Sequence, residues 1–192
     1  NDGKTDRAGQ FLFASMGGTD RTQGGGGLYR LRRNGVVERL LENVIVGNGP
    51  CFSPNGDILY FSDGRGVILQ FDYDPDRGLS APRPFFDAKA AGTACDGATV
   101  DAAGNLWVAL IGSGKIGCIS PMGGLKLTID LPIPLVSSVM FGGPNLDVLF
   151  ATSISNSGNR QDAHPQSGLV FEISGLTSTG LAETAFTGKI PL

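Results

Sequence analysis

Four copies of one short pattern run along the chain and limit the folds that are open to it. In each copy a polar residue lies eight positions before a turn residue, and an apolar run begins two positions after that turn residue. The polar residues are Asn1, Asn48, Asp96 and Ser138, so the copies recur every 42 to 48 residues. A period of this length is typical of the four-stranded blades of a β-propeller.

Each copy continues with further short segments that are rich in β-branched and aromatic residues. Asp-Gly, Asn-Gly and Gly-Gly dipeptides punctuate them, as expected for strands joined by tight turns. The predicted strands cover residues 11–14, 27–31, 36–40, 58–61, 67–71, 83–86, 106–109, 115–119, 125–129, 148–151 and 169–173. Because no amphipathic helix competes with them, we predict one all-β propeller domain with blades at 1–46, 47–93, 94–135 and 136–192.

Composition agrees with a turn-rich globular protein and disfavours several classes of partner. The 192 residues include 30 glycines and 11 prolines, spread along the chain rather than gathered in one tract. The net charge of −3 gives no electrostatic basis for binding nucleic acid or an anionic membrane. No apolar run is long enough to span a membrane, and no signal peptide is recognisable. We therefore expect a cytoplasmic protein, with an upstream segment missing because the chain starts at Asn1.

The cysteines and the histidine offer little chemistry. Cys51, Cys95 and Cys118 are odd in number and match no zinc spacing, which predicts buried, unreactive thiols. His164 is the only histidine and lies in a polar loop, 156–167, where it is either a surface residue or part of a pocket rim. Since no Gly-x-Ser-x-Gly motif is present, a nucleophilic serine hydrolase is disfavoured.

Two further motifs are predicted to be structural. The glycine run 24–27 has no following Lys-Ser or Lys-Thr, so we interpret it as a flexible connection between strands rather than a phosphate-binding loop. The acidic segment 72–78 lacks the distal glutamate of a calcium-binding EF-hand loop. It is interpreted as a β-turn between outer strands.

The repeated polar position has two interpretations. The first strand of every propeller blade lines the central channel, so Asn1, Asn48, Asp96 and Ser138 would converge on the axis. Side-chain oxygens gathered there suit Ca²⁺, Mg²⁺ or Mn²⁺, and such an ion can polarise a carbonyl and acidify a water molecule. Alternatively, Asn-Gly and Asp-Gly are common turn dipeptides whose side chains simply cap a loop. The residues alone leave both interpretations open.

At these positions the chain resembles the gluconolactonase family, which is also called the senescence marker protein or regucalcin family. Individually the matching stretches are short, but they follow the family's order and spacing across nearly the whole chain. They are residues 1–4, 48–56, 71–75, 96–109 and 141–144.

The resemblance implies a six-bladed propeller that carries one divalent cation on its axis, either Ca²⁺, Zn²⁺, Mn²⁺ or Mg²⁺, and hydrolyses aldonolactones. It implies that Asn48 and Asp96 are metal ligands and that Asp96 is also the general base. The residues expected to contact or neighbour the substrate are Asn1, Asp2, Met16 and Ser138.

The chain also departs from the family pattern. The family's glutamate ligand and an arginine near the substrate would both lie before Asn1, and Cys95 and Pro50 stand where the family usually has proline and an aliphatic residue. Four blades form about two thirds of a six-bladed ring, so we expect the first part of the ring to be supplied by another segment or another chain. The leading hypothesis is a metal-dependent lactonase acting on a small sugar lactone. The alternative is a non-catalytic propeller that binds a cation or a partner.

Overall fold

The computed structural model describes residues 1–18 and 23–190, and in that part of the chain the secondary structure consists of antiparallel β-strands. No helix there is long and apolar enough to cross a membrane. The first sheet contains β1 (Gly3–Thr5), β2 (Phe11–Ala14), β3 (Gly26–Leu31) and β4 (Val37–Val44). The second contains β5 (Asn48–Phe52), β6 (Ile58–Ser62), β7 (Val67–Asp74), β8 (Gly78–Leu79) and β9 (Arg83–Asp87). The third contains β10 (Ala94–Val100), β11 (Leu106–Ile111), β12 (Lys115–Ile119) and β13 (Leu125–Asp130), and the fourth contains β14 (Val136–Gly142), β15 (Val148–Ser153) and β16 (Val170–Ile173).

The four sheets are arranged as blades of a β-propeller, as the repeat predicts. In the first, third and fourth sheets, the strands follow one another in chain order, each paired with the next. The first strands of the blades are neighbours in space: β1 contacts β5, β5 contacts β10, and β10 contacts β14. These four strands therefore line the centre of the molecule.

The turn after each of these inner strands has one recurring backbone conformation. Gly9, Gly56 and Gly104 have φ angles of 80°, 81° and 83°, and Leu146, at the equivalent place in the fourth blade, has a φ of 54°. This left-handed region is unfavourable for residues other than glycine. The predicted turn residues are thus confirmed, although one of them has a side chain.

Adjacent blades are held together by apolar residues that alternate between the two faces of each sheet. In β11, Leu106, Val108 and Leu110 pack toward the second blade, whereas Trp107 and Ala109 pack toward the fourth. All six residues of this strand are buried, so the sheet is covered on both faces. Burying each large side chain contributes about 1.5–3 kcal/mol, which makes these interfaces the main source of stability.

A polar network also joins the first two blades. The Arg30 guanidinium donates to the Glu38 carboxylate, with Nε at 2.6 Å, and to the Tyr73 hydroxyl at 3.1 Å. The Tyr73 hydroxyl in turn donates to the Asp6 carboxylate at 2.5 Å. Since the Arg30 side chain is only 1% exposed, its buried positive charge would be strongly destabilising without these partners.

The prediction of a flexible connection for the glycine run is corrected at Gly26 and Gly27 only, since Gly24 and Gly25 are exposed and precede β3. Gly26 and Gly27 are buried residues of β3. A Cβ atom at Gly26 would lie 2.5 Å from the Ser15 carbonyl oxygen, and one at Gly27 would lie 2.8 Å from that of Leu41. Glycine is needed here because neighbouring backbones approach closely. The acidic segment 72–78 contains the predicted β-turn, because residues 75–77 connect β7 to β8 and these two strands pair with each other.

The segment after β16 returns across the turn side of the blades. The Gly180 amide donates to the Leu146 carbonyl at 2.7 Å, and the Thr187 amide donates to the Gly9 carbonyl at 3.1 Å. Glu183 lies 2.9 Å from Lys4 in an ion pair. The segment therefore links the fourth blade to the first, at the opposite end of the inner strands from the repeated polar residues.

Candidate active site

The repeated polar residues lie at β-bulges where the inner strands begin. One extra residue interrupts the pairing of each inner strand with its neighbour in three blades. The interruptions fall between Asn48 and Cys51, between Cys95 and Ala98, and between Val136 and Ser138. A bulge re-aims the side chains beside it and is common next to active sites. The same irregularity therefore recurs where the sequence places its candidate ligands.

Asn48 and Asp96 line the same two cavities, of about 170 and 160 Å³. Asn1 lines the second cavity as well. Asn48 is 8% exposed and Asp96 is half-buried, so their polar groups are largely removed from bulk water. The two cavities share Val46, Asn48, Asp96 and Arg160 in their linings, so they are adjacent parts of one region.

Hydrogen bonds connect these residues across three blades. The Asn48 side-chain amide donates to the Cys95 carbonyl at 3.4 Å, and its oxygen accepts a hydrogen bond from the Asn1 amide. The Asn1 amide also donates to the Gly47 carbonyl at 2.6 Å. Two amide side chains and the backbone just before Asp96 thus form one connected group.

The other predicted substrate residues have different surroundings. The Asp2 carboxylate accepts hydrogen bonds from the backbone amides of Gly3 at 2.8 Å and Gly49 at 2.7 Å, so it ties the first blade to the second. Met16 is 38% exposed and pairs through its backbone with Val46, which lines both cavities. The substrate-binding roles of these two residues stay predictions.

Ser138 is placed beside the candidate ligand Asp96. A Cβ atom added at Gly97, the residue after Asp96, would overlap the Ser138 side chain. Gly97 is therefore required for the fourth blade to approach the third at this point. Contact between Ser138 and a substrate likewise stays a prediction.

A residue that the sequence did not single out, Arg160, also lines both cavities. It belongs to the loop between β15 and β16, from which Ile154 and Ser157 line the second cavity. The sequence directed attention to this loop through His164, which is exposed. The length of the loop was a usable signal, but nothing in the sequence showed which of its side chains turns inward.

The donor set suits a hard cation in part. Amide and carboxylate oxygens, as offered by Asn48 and Asp96, are ligands that Ca²⁺ and Mg²⁺ prefer. Within residues 1–18 and 23–190, no group of three His, Cys, Asp or Glu side chains is placed to hold a metal ion. The residues present therefore fit a cation as part of its coordination shell, and Ca²⁺, which takes 6–8 oxygen ligands, would need others as well.

The thiolate forms of the three cysteines are disfavoured. Burial raises the pKa of Cys51 and of Cys95 to about 12 and that of Cys118 to about 11. All three cysteines are buried and free, as the sequence predicts. Cys95 lines one of the cavities, where burial disfavours its thiolate form.

Comparison with known proteins identifies the family of the chain. Residues 1–155 match the family model described as SMP-30/gluconolactonase/LRE-like region. Regucalcin of Xenopus laevis is 33% identical over 199 residues, a match that covers 98% of this chain and 66% of the relative. The chain thus spans just under two thirds of the length of that relative.

Two solved structures share the fold and part of the sequence. Regucalcin from Agrobacterium tumefaciens, described as a calcium-binding protein, has a TM-score of 0.86 and 27% identity, covering 97% of this chain and 64% of that one. A gluconolactonase from Xanthomonas campestris has a TM-score of 0.66 and 26% identity, covering 79% of this chain and 53% of that one. The chain belongs to the SMP-30/gluconolactonase family.

Proposed function

We propose that the protein carrying this chain hydrolyses a small sugar lactone to the sugar acid, with a divalent cation held in the cavities that Asn48 and Asp96 line. The observation that carries the proposal is that Asn48 and Asp96, from two different blades, line the same cavities. Family membership supports it, since one solved member is a gluconolactonase.

The reaction requires a base and a means of holding the sugar. Water adds to the carbonyl carbon, the ring C–O bond breaks, the ring oxygen becomes a hydroxyl, and the product loses a proton to become a carboxylate. When bound, the cation supplies Lewis-acid polarisation of the carbonyl and of the attacking water. Asn48 and Asp96 are its proposed ligands in this chain.

Asp96 is also the proposed general base. Its carboxylate takes the proton from the attacking water and returns it to the ring oxygen as the C–O bond breaks. Asn1, which lines the second of these cavities, is proposed to exchange hydrogen bonds with sugar hydroxyls. Asp2, Met16 and Ser138 are proposed to shape the surroundings of the sugar.

A second candidate function is cation binding without catalysis. It is favoured by the description of the Agrobacterium tumefaciens relative as a calcium-binding protein. The same two oxygen ligands would serve this function, so the geometry of Asn48 and Asp96 is shared by both candidates.

A pH-indicator assay on the full-length protein distinguishes them. We expect acid release from at least one aldonolactone in a panel, loss of that activity after chelation, and its recovery with Ca²⁺, Zn²⁺, Mn²⁺ or Mg²⁺. The Asp96→Asn variant should lose this activity, and Asp130→Asn is its matched control, because Asp130 lies on β13 at the outer edge of the blade that carries Asp96. Cation binding with no acid release from any lactone would favour the non-catalytic function.

A further inference from the structure

Arg160 brings a basic side chain into the site from the fourth blade. It is half-buried and lines both of the cavities that Asn48 and Asp96 line. Among the described side chains (residues 1–18 and 23–190) that line these two cavities, it is the only basic one, and Asp96 is the only acidic one. Two of the four blades thus supply opposite charges to one small space.

The loop that carries Arg160 is folded rather than extended. Asn156 pairs with Gln161 through the backbone, and the Ser157 amide donates to the Arg160 carbonyl at 2.9 Å. The Asn156 side chain accepts a hydrogen bond of 2.8 Å from the Gly158 amide. This tight turn fixes the backbone of Arg160 and places Ser157 against the same cavity.

The chemistry of the site gives a basic group a specific use. A lactone is neutral, whereas the sugar acid formed from it carries a carboxylate, so negative charge develops as the reaction proceeds. A guanidinium presents a planar fork of N–H donors that pairs with a carboxylate through two parallel hydrogen bonds. In a partly buried cavity such a charge-assisted pair is stronger than on an open surface.

From this placement we infer that Arg160 is the anion-binding residue of the site and that it holds the carboxylate of the sugar acid. The inference rests on the proposed lactonase function for the identity of the acid. Arg160 is thereby assigned to binding of the product, as a residue that prefers an anionic ligand to a neutral sugar of the same hydroxyl pattern.

The test compares two probes in the full-length protein by isothermal titration calorimetry: D-gluconate, which is an anion, and D-glucitol, its neutral analogue. Each is titrated with excess chelator present, so that a bound cation does not contribute. We expect Arg160→Gln to weaken gluconate binding about tenfold or more and to leave glucitol binding unchanged. Arg160→Lys, which keeps the charge but loses the fork, should weaken gluconate binding less.

The control variant is Gln161→Ala, which changes an exposed side chain in the same loop. It should bind both probes like the unmodified protein. Arg160→Gln that binds gluconate normally, or that loses affinity for both probes equally, would overturn the inference. If the unmodified protein lacks lactone turnover while the selective loss for gluconate is observed, the proposed function fails and the anion-binding role stands.

Discussion

The side-chain nitrogen of Asn48 lies 3.4 Å from the carbonyl oxygen of Cys95, the residue immediately before Asp96. This contact directs the side-chain nitrogen of Asn48 toward the third blade, and the side-chain oxygen of Asn48 accepts a hydrogen bond from Asn1. The orientation of one candidate ligand is therefore set by the backbone that carries the other. Close approach of the second and third blades is a condition for the site.

Gly49 maintains this approach, and replacing it with alanine should separate the two blades. Gly49 has a φ of 56°, and an added Cβ would lie 2.9 Å from the Ala98 Cβ and 3.0 Å from the Asp96 carbonyl oxygen. We expect Gly49→Ala to lower the free energy of unfolding by about 2 kcal/mol and to reduce lactone turnover. Urea denaturation measures the first effect.

Gly124→Ala is the matched control for that experiment, because an added Cβ there would lie 3.4 Å from its nearest neighbour, the Ser120 hydroxyl. It should leave both stability and turnover close to those of the unmodified protein. Equal stability of the two glycine variants would contradict the packing described for Gly49.

The Arg30–Glu38 network predicts a specific dependence of stability on pH. Desolvation raises the pKa of Glu38, but hydrogen bonds from Arg32 and Arg30 outweigh it, and the net pKa is lowered. The contribution of the Glu38 carboxylate to the free energy of unfolding is therefore fully present above its unfolded-state pKa, about 4.3. That contribution is lost as the pH falls through the lower pKa that Glu38 has in the folded protein. Glu38→Gln should cost about 2 kcal/mol at neutral pH.

That difference in the free energy of unfolding should shrink in acid, when Glu38 becomes protonated in the unmodified protein. Glu42→Gln is the control, because the Arg39–Glu42 pair is exposed on both sides and such pairs contribute little. Chemical denaturation at neutral pH and near pH 3 tests both variants. A Glu38→Gln difference that is constant across this range would show that the carboxylate charge does not contribute to stability.

The cysteines should be protected from alkylation in the folded protein. A thiol with a pKa of about 12, as for Cys51 and Cys95, is almost entirely protonated at pH 8, and burial further blocks the reagent. We expect peptide mass spectrometry to find Cys51, Cys95 and Cys118 unmodified by iodoacetamide under native conditions. All three should be labelled in urea, and rapid native labelling of Cys95 would indicate that the cavity beside it is open to solvent.

The fold was predictable from sequence because its determinants are local and repeated. The eight-residue spacing locates turns whose left-handed conformation is seen at Gly9, Gly56 and Gly104. The short strand β8, Gly78–Leu79, was missed because two residues give no periodicity. Half of the glycine run was misinterpreted because Gly26 and Gly27 approach the backbone of residues 10 or more positions away, namely Ser15, Met16 and Leu41.

The site was predictable only in outline. Equivalent positions in successive blades identified Asn48 and Asp96 as neighbours, since the symmetry of a propeller brings such positions together. Arg160 lies in a loop outside the repeat, and its position depends on how the turn at 156–161 folds over the channel. No pattern in the sequence indicates that the Arg160 side chain lies against the cavities.

The proposed cation site is tested most sharply by calorimetric titration of Ca²⁺ and Mn²⁺ into the full-length protein and two variants, Asp96→Asn and Asp130→Asn. Asp96→Asn removes a proposed charged ligand while keeping its size, whereas Asp130→Asn removes an exposed carboxylate from the outer strand of the same blade. We expect Asp96→Asn to weaken cation binding at least about tenfold and to abolish lactone turnover, and Asp130→Asn to change neither. Undiminished cation affinity in Asp96→Asn would contradict the proposed cation site.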